Sequence, residues 1–206
     1  MKSIFKRQLS VIAVTLLCVA PIMAQGYSKG HISAGWQYGS PISTGFTDKA
    51  SGYGLYFDGG YYVNPFLSVG VFLNYHTNYE YIPRTTYPIG TTGDVTTDQQ
   101  HCIRQLPFGA SIRYRLFTGK WQPFFGAKLG ANYMHAYSDF HTVRVYEDTW
   151  GFHISPEIGI ALYPFKSSRL GFNLAGYYSY STNQSAILHY EMNGVNNLGF
   201  RLGLIF

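Results

Sequence analysis

From Gln25 onward the apolar residues of this 206-residue chain fall on alternate positions, in one segment after another. Successive side chains of an extended chain point to opposite sides, so a period of two predicts strands with one apolar face. The first segment runs from about Lys29 to Gly39, setting Ile32, Ala34, Trp36 and Tyr38 against His31, Ser33, Gly35 and Gln37. The second, Tyr53 to Val63, sets Leu55 and Phe57 against Gly54, Tyr56 and Asp58. The third runs from Leu67 to Tyr79, the fourth around Gln105 to Arg115, and the fifth from Trp121 to Tyr133. Trp150 to Leu162, Leu170 to Tyr180 and Leu198 to Phe206 complete eight segments.

The connections decide what these strands build. Those after the second, fourth and sixth strands are short: Asn64-Pro65, Thr118-Gly119 and Pro164 to Ser168. Those after the first, third, fifth and seventh are long and polar: Pro41 to Gly52, Tyr81 to Gln100, Ser138 to Asp148 and Asn183 to Gly194. Short turns on one side and long loops on the other are how outer-membrane barrels are connected. Each segment also has the roughly 9 to 11 residues that a tilted strand needs to cross hydrocarbon, and a sheet in lipid must close because its edges have no water to pair with. A soluble barrel of lipocalin type alternates too, but it hides its apolar face and shows charge outside. Here only 12% of residues are charged, against about 25% in an ordinary soluble domain, while 46% are hydrophobic and 18% aromatic. The prediction is all-β: an eight-stranded antiparallel up-and-down transmembrane β-barrel.

At the N-terminus Lys2, Lys6 and Arg7 precede an apolar run, Leu9 to Ala20, which Pro21 ends and small Ala24 follows. That order reads as a secretory signal peptide over residues 1–24, with the barrel domain at 25–206; the run is too short for a membrane-spanning helix. Cys18 leaves with the signal, so Cys102 is a single thiol, incompatible with a disulfide scaffold or a CxxC-type zinc cluster. The formal net charge is +5, of which the three N-terminal bases supply a large share. No basic cluster of the kind nucleic-acid binding requires is present.

At the level of motifs the chain resembles the small outer-membrane barrels of the OmpA/OmpX-like porin superfamily, in particular the outer membrane protein beta-barrel domain. The resemblance rests on YFDGGYYVNPFLSVGVFLNY, on LPFGASIRYRLF followed by KWQPFFGAKLGANY, and on the terminal GFRLGLIF. It implies an integral barrel of the Gram-negative cell envelope whose function lies mainly in its surface loops. Phe200, Leu202, Leu204 and Phe206 look like the C-terminal signal that the outer-membrane assembly machinery reads.

Candidate chemistry is sparse. Lipid A deacylases of similar build carry His-x-Ser near the last strands; here His189, Tyr190 and Glu191 put a glutamate where the nucleophile would stand, and Ser185 lies earlier. His31, His76, His101, His135, His141, His153 and His189 are scattered without ligand spacing. No cofactor is expected. Trp36, Tyr53, Tyr75, Trp121, Tyr133, Trp150 and Tyr180 suit interfacial girdles. Arg104 has outward parity near the long-loop end and is a candidate contact for a lipopolysaccharide phosphate, with snorkelling as the plainer reading. Counting from the short turns, Asp58, Arg113, Lys128, Glu157 and Arg201 share inward parity and similar height, which predicts an ionic layer in the lumen. The expected function is therefore non-catalytic: a monomeric barrel with a structural or surface-interaction role through four long loops, contacting outer-membrane lipid, lipopolysaccharide and an unknown extracellular ligand. A narrow diffusion pore and a lipid A modifying enzyme are the alternatives.

Overall fold

The computed structural model describes residues 30–42, 45–89, 93–140, 143–165, 169–187 and 190–206. The predicted signal peptide, His141, His189 and part of the predicted 164–168 turn lie outside them. Eight strands follow in chain order: β1 (Gly30–Pro41), β2 (Tyr53–Tyr62), β3 (Leu67–Ile89), β4 (Gly93–Arg115), β5 (Trp121–Phe140), β6 (Val143–Leu162), β7 (Gly171–Ile187) and β8 (Tyr190–Ile205). Each pairs antiparallel with the next, and β8 closes on β1 with Gln37 opposite Arg201. Beyond that ladder Phe206 and Ile32 exchange both backbone hydrogen bonds, at 2.8 and 3.1 Å, so the seam is paired to the last residue.

Alternation sorts side chains as an inside-out protein. Leu55, Val71, Phe108, Leu129, Ile158 and Leu202 face outward and are exposed, whereas Ser33, Asn74, Lys128, Ser155 and Arg201 are buried. An apolar exterior over a polar interior has its low-energy environment in a bilayer, where hydrocarbon takes the place of a protein core. The short turns are locally encoded. Asn64 accepts hydrogen bonds from the amides of Phe66 (2.9 Å) and Leu67 (2.7 Å), so its side chain caps the β2–β3 turn that Pro65 pre-bends. The narrow interior needs small residues where neighbouring strands press together: a Cβ on Gly130 would collide with the Phe108 carbonyl across the β4–β5 ladder.

Three of the four predicted long loops are not loops. The polar stretch 81–100 continues β3 and β4 as one ladder to Ile89 opposite Gly93, with a register shift between Ile82 and Thr85. The 138–148 stretch extends β5 and β6 to Phe140 opposite Val143, and the 183–194 stretch extends β7 and β8 to Ile187 opposite Tyr190. Above the bilayer neither face meets lipid, so the apolar alternation vanishes, yet β-favouring residues keep the ladder going. Thr86 and Thr96, for example, sit opposite each other with hydroxyls 2.9 Å apart. Among the described residues of the four long connections, those between β1 and β2 are the irregular ones, and Phe46 and Thr47 there are buried.

Candidate functional site

The lumen contains the first assembly of charged groups. β2 contributes Asp58, β4 Arg113, β5 Lys128, β6 Glu157 and β8 Arg201, and the structure brings these five together in one buried layer. Lys128 Nζ lies 3.4 Å from Asp58 Oδ2 and 3.2 Å from Glu157 Oε2. Arg201 donates to Glu157, while Arg113 Nη2 is more distant, 3.8 Å from Asp58 and 3.9 Å from Glu157. Two further participants were not anticipated: His31, whose Nε2 lies 3.2 Å from Asp58, and Gln37, which accepts from Arg201 Nε at 2.9 Å. Both are inward residues of β1, so parity places them in the lumen; only the closing β1–β8 and β1–β2 registers reveal their height. Aromatic walls complete the layer. Arg113 lies 4.1 Å over Phe124, Arg201 4.0 Å over Tyr177, and Lys128 sits between Tyr56 and Phe72 at 5.7 Å from each ring. Cations over ring faces gain from the quadrupole while the rings exclude water, so the layer both pairs its charges and fills the bore.

The extracellular mouth has a different chemistry. Inward residues of the extended strands, Ile103, Met134, Ala136, Ile187, Met192 and Val195, form a buried apolar cluster that the expected polar lumen did not include. Phe46, from the β1–β2 connection, is seated in it. Gly45 just before it has φ +68°, a turn that residues with a side chain rarely take. The Phe46 ring stacks on His101 at 4.1 Å and 7° and meets Tyr190 edge-on, while its carbonyl lies 2.9 Å from His101 Nδ1. Glu80 accepts the Asp48 amide at 2.7 Å, holding the next part of the same segment.

On the outside, β3–β6 form a wall projecting beyond the barrel, and their registers line up outward side chains in transverse rows. Tyr133 and Trp150, paired with Leu106, mark the aromatic girdle. One row above stand Thr77, Arg104, His135 and Asp148; above that Tyr79, Cys102, Tyr137 and Tyr146; and above that Tyr81, Gln100, Asp139 and Arg144. Arg104 is thus outward, as its parity predicts, but it does not simply snorkel: it donates to the Tyr137 hydroxyl at 3.1 Å and leans over that ring at 5.1 Å. His135 and Asp148 join at 2.6 Å, and Tyr133 donates to the same carboxylate at 2.9 Å. These hydrogen bonds hold the Asp148 carboxyl below the usual aspartate range, that from His135 contributing most. In the top row Arg144 forks onto Asp139 with Nε and Nη2 at 2.5 and 2.8 Å, which lowers the Asp139 carboxyl in the same way. Cys102 is buried in this wall.

The residues weighed for catalysis do not come together. The Ser185 hydroxyl is donated to Glu147 at 2.6 Å inside the barrel, where a carboxylate rather than an imidazole holds it, and Glu191 is exposed. His76 and His153 are buried in the lumen, as parity predicts, with His153 Nδ1 2.8 Å from the Ser181 hydroxyl. Among the described residues no three His, Cys, Asp or Glu side chains are grouped to hold a metal ion.

The chain is similar in structure to Ail, the attachment invasion locus protein of Yersinia pestis, at 13% identity and a TM-score of 0.48 over 87% of this chain and 99% of Ail. It is similar also to OprG of Pseudomonas aeruginosa, at 16% identity and a TM-score of 0.49 over 86% of this chain and 95% of OprG. Neisserial surface protein A gives 18% identity and a TM-score of 0.48, over 88% and 98% of the two chains. No curated protein matches the sequence. The model of the outer membrane protein beta-barrel domain matches residues 9–206, nearly the whole length, so the chain belongs to that family and is a protein of the Gram-negative outer membrane.

Proposed function

We propose that the protein is a closed, non-catalytic and monomeric barrel whose work is done on its extracellular side, in envelope structure and in contacts made by the β3–β6 wall. The observation that carries this reading is the lumen: the layer of Asp58, Arg113, Lys128, Glu157 and Arg201 is buried to the last side chain, and Phe46 seats in the mouth above it. Two obstructions of opposite polarity in series disfavour a diffusion pore, since a solute suited to one is repelled by the other. The donation of Ser185 to Glu147 disfavours the lipid A enzyme.

Arg104 stands one row above the girdle, at headgroup height, with His135 opposite it. It supports a contact with a lipopolysaccharide phosphate in the neighbouring leaflet, for which Tyr137 orients the guanidinium. On the same reading residues 1–24 are removed on export, and Phe200, Leu202, Leu204 and Phe206 present the segment that the assembly machinery engages.

Planar-bilayer conductance tests the closed barrel. Purified protein is expected to give no steady channels, and regular unitary conductance from the wild-type chain overturns the reading. Cells expressing the barrel with the hairpins cut back to Tyr79–Cys102 and Tyr137–Tyr146 are expected to lose surface binding that full-length protein supports.

A further inference from the structure

The highest row shared by all four strands of the outer wall borders a cleft of about 530 Å³, lined by Tyr81, Asp98, Gln99, Gln100, Asp139, Val143 and Arg144. We propose that this cleft binds neutral hexose units of an oligosaccharide. The proposal rests on the reading that the wall carries the function and names its ligand class.

Register builds the site. Tyr81 on β3 lies opposite Gln100 on β4, Gln100 opposite Asp139 on β5, and Asp139 opposite Arg144 on β6, so one side chain from each of four strands points to the same side. With strands about 4.8 Å apart the row is on the order of 15 Å long, enough for more than one sugar ring. Tyr81 is 53% exposed and offers an aromatic face. The axial C–H groups of a pyranose carry a slight positive charge and settle on the negative face of such a ring. Gln100, Asp139 and Arg144 then present planar amide, carboxylate and guanidinium groups, whose paired acceptors and donors match the spacing of vicinal hydroxyls.

The polar groups are already held in place. Arg144 forks onto Asp139 and lies 4.2 Å over the Tyr137 ring one row below, and the Tyr81 hydroxyl donates to Asp98 at 3.3 Å. Preorganised side chains cost less entropy on binding than free ones. Immediately above Tyr81 the β3–β4 register shifts between Ile82 and Thr85, a bulge of the kind that re-aims neighbouring side chains.

Charge selects the class of sugar. Of the side chains lining the cleft Asp98 and Asp139 are acidic and Arg144 is basic, and Arg104 below adds to the field at Asp139, so a sulfated or phosphorylated saccharide meets no excess of positive charge, whereas neutral hydroxyls meet donors and acceptors of both signs. Height argues against a lipid tail: Asp139 is six residues beyond Tyr133 of the girdle, about 15 Å above it at a rise of about 3.3 Å per residue and a tilt near 40°. A peptide strand would add at an outer edge of the wall, along β3 beyond Thr77 or β6 before His153, where neither β2 nor β7 pairs with them; the row of outward side chains lies on the face between those edges, where Gln100 and Asp139 are paired on both sides. Two sources supply neutral hexoses at this height, the outer saccharide of the cell's own lipopolysaccharide and a soluble or foreign glycan.

Full-length mature protein in detergent micelles is titrated with maltotriose, mannotriose and lactose, with a heparin tetrasaccharide, and with dephosphorylated core oligosaccharide from the same envelope, read by saturation-transfer NMR. At least one neutral saccharide is expected to bind and the heparin fragment is not. Binding of the core oligosaccharide alone assigns the source to lipopolysaccharide; binding of the trisaccharides assigns it to external glycan. Tyr81→Ala and the isosteric Asp139→Asn are expected to weaken binding by about tenfold or more, and Lys120→Ala in the periplasmic turn to leave it unchanged. Heat-modifiable migration of each variant verifies that it is folded. No neutral saccharide bound at about 10 mM by folded wild-type protein, preference for the heparin fragment, or unaltered binding by both cleft variants overturns the proposal. Channel conductance would overturn the closed-barrel reading and leave this result standing, and surface binding lost on trimming the hairpins without any saccharide binding would do the reverse.

Discussion

Replacing Glu157 with glutamine tests whether the lumen layer acts as one electrostatic unit. In the native layer three bases face two acids, and Glu157 is the group that Arg201 donates to, that Lys128 approaches at 3.2 Å and that Arg113 faces at 3.9 Å. Glutamine keeps the shape but removes one of the two anions, leaving Arg113, Lys128 and Arg201 around Asp58 alone. Breaking a buried pair by removing one partner costs about 3–5 kcal/mol, because the orphaned charge keeps its desolvation cost without its partner. For a chain of this size that is a fall of roughly 6–20 °C in the unfolding midpoint. Arg201→Met alone also costs stability, since it forfeits the Gln37 hydrogen bond and the Tyr177 face. Combined with Glu157→Gln it removes the orphaned cation and restores the native charge excess of one base. The double variant is therefore expected to be more stable than the sum of the two losses by about 1 kcal/mol or more. The assay is thermal unfolding in detergent followed by heat-modifiable migration, with urea-induced unfolding in lipid vesicles for the free energies. Losses that add within about 0.5 kcal/mol would refute the coupling and the idea that the layer stabilises the barrel as a network.

Leu129→Arg places a charge on the lipid face at mid-strand and is expected to destabilise the barrel by about 2–4 kcal/mol in vesicle-based unfolding; normal insertion and stability would reverse the assignment of faces on β5. Deleting Phe206 removes both hydrogen bonds to Ile32 at the β1–β8 seam and part of the assembly segment, so the amount of heat-modifiable protein in the outer membrane should drop, and wild-type levels would count against it. Phe46→Ala should expose residues 45–50 to protease while shifting the barrel's midpoint by no more than a few degrees, because the segment can release while the Gly39–Ser51 bridge and the strand ladders stay paired; retained resistance contradicts the seating role. The Asp139 carboxyl should titrate below the usual value of about 3.9, and Arg144→Gln should raise it. A group with a lowered folded pKa stabilises above its unfolded pKa and loses that contribution as pH falls through the folded one, so the fork persists from neutral pH down to about 4 and fails only below. Carbon-13 NMR of the carboxyl checks this, and an unchanged midpoint in Arg144→Gln would dissociate the fork from the shift.

Much of this molecule was legible in one dimension. Alternation assigns each side chain to lipid or lumen without reference to any other strand, which is why Leu129 and Lys128, adjacent in sequence, could be sent to opposite faces. Counting from the short turns also put Asp58, Glu157 and Arg201 at one height, because turn and strand lengths are local properties. What failed was whatever depends on where hydrocarbon stops. Once a strand leaves the membrane its outer face meets water instead of lipid, the period-two signal is lost, and Thr85, Thr86, Asp139 and Arg144 read as loop although their ladders continue. The seating of Phe46 between His101 and Tyr190, the participation of His31 and Gln37 in the ionic layer, and the row from Tyr81 to Arg144 all join residues of different strands. Such neighbours are decided by register and closure, which arise only when every backbone donor and acceptor of the ring is paired at once.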